Sequence, residues 1–244
     1  MIEAFLWGAI AASSLLLGCL LALKVTIPHR TVGLIMGFGA GVLLSAVAYD
    51  LVLEAAQTET RNAIVFGGLL AGAIAFFLAN RFQQRRSQRN GATGGQAQIA
   101  AGMALILGAI MDGVPESIVL GLTLLDGEGV GVTVLLAILL SNLPEGIAAT
   151  QDLTESGWAG ARIIRIWTIV VIVSAFASFA GYALFGNASP NTIAAVQAFA
   201  AGAIIVMLTD SMIPEAYAKG GNVVGLVTSL GFSTAFGLTL LEWI

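Results

Sequence analysis

Charged side chains are scarce in this chain of 244 residues, at 10% of the total against about 25% in soluble domains. Hydrophobic residues make up 58% of the chain, where about 45–50% is usual. A surface in water needs more charge than this, so the composition excludes an ordinary soluble domain. It predicts an integral membrane protein whose main surroundings are the lipid bilayer.

Cysteine and histidine are each present only once. Cys19 lies inside an apolar run, which excludes an intrachain disulfide, and His29 follows Pro28 in a short polar turn. Catalytic zinc sites usually use two or three histidines, so the sequence argues against an intramembrane metal-dependent hydrolase, and we expect no enzyme. The net charge of −4 is a small imbalance, and we expect no nucleic-acid partner.

Long apolar runs are abundant, and each is near the roughly 20 residues that a membrane-spanning helix needs. Eight of them are predicted, at about 3–24, 31–49, 62–80, 99–125, 130–150, 166–186, 192–213 and 222–241. The sequence therefore predicts an all-α membrane protein with a single transmembrane domain over residues 1–244. The one long connection, at about 82–98, is rich in Gln, Arg, Ser and Gly, and we expect it to be mobile.

The positive residues predict how the spans are oriented. All Lys and Arg residues except Arg61 fall in, or beside, alternate connections. Because positive residues favour the cytoplasmic side of a membrane, we expect the 82–98 loop to be cytoplasmic and both termini to be outside. A multi-pass protein of the cell (inner) membrane is the resulting expectation.

Two pairs of segments resemble each other within the chain. Residues 38–55 (FGAGVLLSAVAYDLVLEA) align without a gap to residues 199–216 (FAAGAIIVMLTDSMIPEA), and 112–118 (DGVPESI) align to 141–147 (SNLPEGI). Both pairs lie on predicted spans of opposite direction. Inverted repeats of this kind are typical of secondary transporters, and they predict a bundle of three helices, a central pair and three more helices.

Polar residues inside the central pair predict a metal-ion site. Each carboxylate there costs about 2.5–3.5 kcal/mol on insertion scales, so a function is expected of it. A proline directly precedes each Glu and frees a backbone carbonyl four residues earlier, which adds oxygen atoms. The predicted metal ligands are Asp112, Glu116, Ser141, Asn142 and Glu145.

Four further carboxylates lie at predicted span ends. Asp50 and Glu54 end the second span on the outer side, and Asp210 and Glu215 end the seventh on the inner side. Two interpretations stay open: these residues form the entrance and exit of a transport pathway, or they simply reach water.

At these residues the sequence resembles the ZIP (Zrt-, Irt-like) family of divalent metal transporters. The family's central spans carry His-Asn-x-Pro-Glu-Gly and His-x-x-Pro-Glu-Gly, where this chain has Asp-Gly-Val-Pro-Glu-Ser at 112–117 and Ser-Asn-Leu-Pro-Glu-Gly at 141–146. The ends of spans two and seven are similar to the family's His-x-x-Pro-Glu-Ala. The resemblance implies eight spans, outer termini and movement of a divalent metal ion toward the cytoplasm. It implies a primary metal site at Asp112, Glu116, Ser141 and Glu145.

The chain departs from the family at its metal ligands. Asp112 and Ser141 stand where the family has histidines, and Gly113 stands where it has an asparagine. Zinc is the substrate that the resemblance implies, whereas oxygen ligands suit harder ions, so manganese, iron and magnesium stay open as substrates. Little beyond Asn142 and the shared glutamates remains to bind a second metal ion in the site.

Two other functions stay open on the sequence alone. The carboxylates are also suited to a transporter of another cation or of a proton-coupled solute. The same fold would also serve a metal-binding membrane protein that does not transport. Helix faces rich in small residues permit a homodimer.

Overall fold

The computed structural model describes residues 1–57, 62–89, 95–127 and 129–242. Within these ranges all the regular structure is helical, as the apolar runs predict. The helices are α1 (Ile2–Lys24), α2 (His29–Ala46), α3 (Glu54–Gln57), α4 (Asn62–Arg89), α5 (Gly95–Thr123), α6 (Val132–Glu155), α7 (Gly160–Phe185), α8 (Pro190–Met207), α9 (Ile213–Gly220) and α10 (Val224–Glu242).

Two of the membrane-length helices contain a π-helical turn. Residues Val47–Leu53 join α2 to α3, and residues Leu208–Met212 join α8 to α9. The two turns begin at equivalent positions of the aligned segments 38–55 and 199–216. Since π-helical turns are rare and often occur at functional sites, their matched placement supports the internal repeat.

The described residues contain seven helical segments long and apolar enough to cross a membrane, so the chain is a multi-pass membrane protein. Eight spans were predicted, and the difference lies in the last segment, Pro190–Leu241, which is 52 residues long. That segment contains the predicted spans seven and eight. It is interrupted at Gly221, whose φ of 76° lies in the left-handed region that favours glycine.

The connection predicted at 82–98 is shorter in the structure. Helix α4 continues to Arg89 and α5 begins at Gly95, which leaves residues 90–94 outside the described part of the chain. Arg and Gln have high helix propensities, so the polar residues after the apolar run extend the helix instead of ending it. The mobility of the connection stays a prediction.

The helices pack in a recurring set of pairs. Helix α2 contacts α10 and α4 contacts α8, while α1 contacts α6 and α5 contacts α7. Helix α1 also packs against α7. The largest buried cluster of apolar side chains among the described residues draws most of its members from α2, α6 and α8.

Glycines bring the backbones of the paired helices into direct contact. A methyl group on Gly41 of α2 would overlap the carbonyl oxygen of Thr228 on α10, and one on Gly231 of α10 would overlap that of Phe38. Small residues at such contacts let membrane helices approach closely. The α2–α10 pair therefore depends on glycine from both sides.

The α4–α8 pair repeats this arrangement. A methyl group on Gly202 of α8 would overlap the carbonyl oxygen of Leu69, and one on Gly72 of α4 would overlap that of Phe199. Gly41 aligns with Gly202, and Phe38 aligns with Phe199, in the two similar segments. The same contact is thus made twice, by equivalent residues.

We expect Gly231→Ala to destabilise the protein, because the added methyl group meets the backbone of α2. Overpacking of this kind costs about 1–3 kcal/mol. The matched control is Gly237→Ala on the same helix, where a methyl group has nothing within 4 Å and alanine favours the helix. Thermal unfolding in detergent compares the two variants, and equal unfolding temperatures would contradict the packing described here.

Candidate metal-ion site and cavity

A cavity of about 470 Å³ lies between the central helices and the α8–α9 segment. Four carboxylates line it: Asp112 of α5, Glu145 and Asp152 of α6, and Glu215 of α9. Its remaining lining is Met36, Asn80, Gln83, Gly108, Ala109, Ala148, Ala149, Met207, Ser211 and Met212. Acidic groups on three different elements therefore converge on one space inside the bundle.

Helix geometry places the acidic residues of α6 on this space. Glu145 and Asp152 are seven residues apart, with Ala148 and Ala149 between them, so all four lie on one helix face. On α5, Gly108 and Ala109 lie one turn before Asp112 on the same face. The small side chains of these glycine and alanine residues leave the space of the cavity, and the carboxylates border that space.

The cavity extends to the end of the bundle where the α1–α2 connection lies. Gln151, next to Asp152, donates a hydrogen bond of 2.8 Å from Nε2 to the carbonyl oxygen of Ile27 in that connection. Glu155, one turn further along, lies 3.6 Å from His29. This is the end that the positive residues predict to be cytoplasmic.

The carboxylates influence one another. Glu145 lies within electrostatic range of Asp112, Glu116 and Glu215. Among these four residues, Glu215 has a basic partner, because the ammonium group of Lys219 lies 2.7 Å from its Oε1. A concentration of negative charge in a partly water-excluded space attracts cations strongly, so the cavity favours a positively charged ligand.

Glu116 lies outside this cavity. Its side chain is 3% exposed and borders a separate pocket of about 10 Å³, which is otherwise lined by the apolar residues Leu43, Ala46, Val47, Leu51, Val119, Val134, Ile138 and Ile204. Its Oε2 atom is buried without a hydrogen-bond donor among the described residues. The helices are thus tightly packed around Glu116, which lies one turn of α5 beyond Asp112.

The structure brings only some of the predicted metal ligands together. Asp112 and Glu145 share the cavity, whereas Ser141 and Asn142 are buried in α6 and do not line it. The Ser141 hydroxyl donates to the carbonyl oxygen of Ile138 at 3.1 Å. In the described part of the chain, no three His, Cys, Asp or Glu residues are close enough together to hold a metal ion.

The four carboxylates predicted at span ends have different surroundings. Glu215 lines the cavity, but Asp210 is exposed and Ser211 takes the place at the cavity wall. At the opposite end, Asp50 Oδ1 accepts a hydrogen bond of 3.4 Å from Thr239 Oγ1. Glu54 is exposed, and its Oε1 accepts one of 3.5 Å from Gln197 Nε2.

Several cavity residues were missed by the sequence reasoning. Asp152 had a usable signal, because its spacing of seven from Glu145 puts both on one helix face. Asn80 and Gln83 had no such signal, since Asn80 ended a predicted span and Gln83 lay in the connection predicted at 82–98. Met36, Met207 and Met212 were indistinguishable from packing residues until the fold placed them together.

We expect Ser211→Cys to react with charged thiol reagents added at the predicted cytoplasmic face. A cationic reagent should react about tenfold faster than an anionic one of the same size, because the carboxylates attract it. The matched control is Ser45→Cys, whose position is fully buried, and native Cys19 is also fully buried. The measurement is the labelling rate, and equal rates for the two reagents would contradict an acidic cavity.

No known protein-family model matches the chain. A protein of Arabidopsis thaliana described as a putative zinc transporter is 28% identical over 216 residues, which cover 79% of this chain and 31% of that protein. The chain therefore spans about a third of the length of this relative. The similarity agrees with the resemblance to the ZIP family that the Pro-Glu motifs indicate.

Proposed function

We propose that this chain is a ZIP-like secondary transporter that moves divalent metal ions toward the cytoplasm. The observation that carries this proposal is the cavity inside membrane-spanning helices, into which Asp112, Glu145, Asp152 and Glu215 converge. Ionisable groups inside membrane proteins usually line substrate or ion pathways, because they are costly elsewhere. The Arabidopsis relative, by its description, supports a metal ion as the substrate.

Zinc is the proposed substrate, with manganese, iron and magnesium as further ions. Zinc follows from the relative's description and from the family resemblance. The lining combines carboxylate oxygens with the thioether sulfurs of three methionines, and sulfur ligands favour softer ions such as zinc. Asp112 stands where the family has a histidine, and its harder oxygen broadens the range of ions that the site accepts.

We infer eight spans arranged as an inverted repeat of three, two and three helices. Dividing the last long segment at Gly221 gives the eighth span. The matched π-helical turns, the matched glycine contacts and the helix pairs α2–α10 and α4–α8 all support a twofold relation between the halves. An inverted repeat allows alternating access, in which one half moves against the other around a central site.

The repeat also indicates which residues open the other side. In the aligned segments, Ser211 corresponds to Asp50 and Glu215 to Glu54. The central motifs align Glu145 with Glu116. The first member of each pair lines the cavity. The second members lie away from it: Glu116 borders the pocket of about 10 Å³, and Asp50 and Glu54 accept hydrogen bonds from Thr239 and Gln197. We call the region of Asp50, Glu54 and Glu116 the closed side. We propose that the ion enters past Asp50 and Glu54, passes Glu116, and leaves through the cavity.

A proton-coupled solute transporter is the second candidate. Glu116 is buried among apolar residues, as a proton-carrying carboxyl group would be, and the described residues contain no cluster of three acidic, His or Cys metal ligands. In that case the cavity carboxylates would pass protons.

Uptake by the purified chain in liposomes tests the proposal. We expect accumulation of zinc, compared side by side with manganese, iron, magnesium and calcium. Glu145→Gln should reduce uptake at least about tenfold, the equivalent of about 1.4 kcal/mol, because it removes one charged ligand. The control is Asp210→Asn on an exposed residue outside the cavity, which should stay within about twofold of the unmodified chain.

Two results would overturn this proposal. Proton movement without any metal uptake would favour the second candidate. Equal zinc uptake by the unmodified chain and by Glu145→Gln would place the ion pathway elsewhere in the molecule.

A further inference from the structure

Lys219 is a half-buried cation beside the acidic cavity. It lies in the last turn of α9, and its side chain is 16% exposed. Its Nζ atom lies 2.7 Å from Glu215 Oε1 and 3.9 Å from Asp152 Oδ1. Lys219 does not line the cavity, although both of its partners do. One ammonium group is therefore shared between two of the four cavity carboxylates.

The placement of Lys219 differs from that of an ordinary surface ion pair. Lysine is rarely buried unless it is paired, and exposed pairs contribute little to stability. Here the ammonium group is inaccessible to solvent, and it joins α9 to α6 rather than residues of one helix alone. The side chains of Asp152 and Glu215 are 39% and 41% exposed, so the solvent shields these pairs at the carboxylates but not at the ammonium group.

The sequence repeat does not place a lysine at the position that corresponds to Lys219. When the two alignments are extended at the same spacing, Asp152 corresponds to Thr123 and Lys219 corresponds to Thr58. Thr123 uses its hydroxyl to hydrogen-bond the backbone at Leu120 and Gly131. The combination of Asp152, Glu215 and Lys219 is therefore not repeated at the corresponding sequence positions.

A shared ammonium group changes how firmly the carboxylates hold a divalent ion. Four carboxylates in a partly water-excluded space would bind such an ion strongly. Transport requires binding that is favourable enough for entry and weak enough for release. The ammonium group of Lys219 competes with the ion for the oxygens of Glu215 and Asp152. When the ion leaves, the ammonium group pairs with these oxygens again.

We propose that Lys219 is a tethered counter-ion that weakens metal binding at Asp152 and Glu215 and so accelerates release of the ion from the cavity. The inference rests on the proposed transport function. It assigns Lys219 a positioning role, because the residue acts through the two carboxylates.

The test compares zinc binding and zinc uptake in Lys219→Met and the unmodified full chain. We expect zinc to bind about tenfold more tightly to Lys219→Met by calorimetry in detergent, because one competing charge is removed. In liposomes, the maximal uptake rate should fall and the zinc concentration for half-maximal uptake should fall with it. Lys219→Gln provides a second neutral variant, and Lys219→Arg should behave like the unmodified chain.

Two further variants separate this role from a structural one. Lys24→Met is the matched control, an exposed lysine at the end of α1 that does not line the cavity, and it should leave zinc affinity unchanged. In a Glu215→Gln, Asp152→Asn background, Lys219→Met should no longer raise the affinity, because the residues through which it acts are gone.

Unchanged zinc affinity in both neutral variants, with normal uptake by the unmodified chain, would overturn the role of Lys219 alone. The same rise in affinity with and without the two carboxylates would also overturn it. Absence of any metal uptake by the unmodified chain would instead overturn the transport function on which the inference rests.

Discussion

The cost of holding carboxylates inside a membrane determines the rest of this structure. Each of them costs about 2.5–3.5 kcal/mol at the centre of a spanning helix on insertion scales, so each needs water, a counter-charge or a ligand. Asp112 and Glu145 face a cavity left open by glycine and alanine. Asp152 and Glu215 share Lys219. The small side chains and the cavity give carboxylates access to water, and Lys219 supplies a counter-charge, so each feature lowers the cost of a carboxylate in the membrane.

Close packing on the closed side completes the arrangement. Around Glu116, apolar residues of α2, α5, α6 and α8 leave a pocket of only about 10 Å³. Glycines hold the outer helices against the bundle through backbone contacts made twice by equivalent residues. Packed interfaces of this kind switch between discrete arrangements more readily than they deform gradually. One open side and one closed side are therefore the state expected of a transporter with an inverted repeat.

Sequence reasoning predicted the membrane class and named three of the four carboxylates that line the cavity, Asp112, Glu145 and Glu215, because hydropathy and local spacing carry that information. It placed Asp112 and Glu145 on facing helices, but it also grouped Glu116, Ser141 and Asn142 with them. Pro115 and Pro144 were expected to add free backbone carbonyl oxygens to the same site. In the structure both helices continue through their prolines. Which of the five side chains border the cavity depends on how the neighbouring helices pack, and the sequence does not specify that packing. The contributions of Lys219 and the methionines depend on contacts between distant segments, which local patterns cannot reveal.

Locking the closed side tests the central claim, that access to the carboxylates alternates between two sides, most directly. The Thr239 and Asp50 side chains are in contact at 3.4 Å, so cysteines at both positions, in a Cys19→Ala background, can be linked by a short reducible thiol cross-linker. We predict that cross-linking abolishes zinc uptake into liposomes and that reduction restores the uptake of the same double variant. Undiminished zinc uptake by fully cross-linked protein would contradict the account.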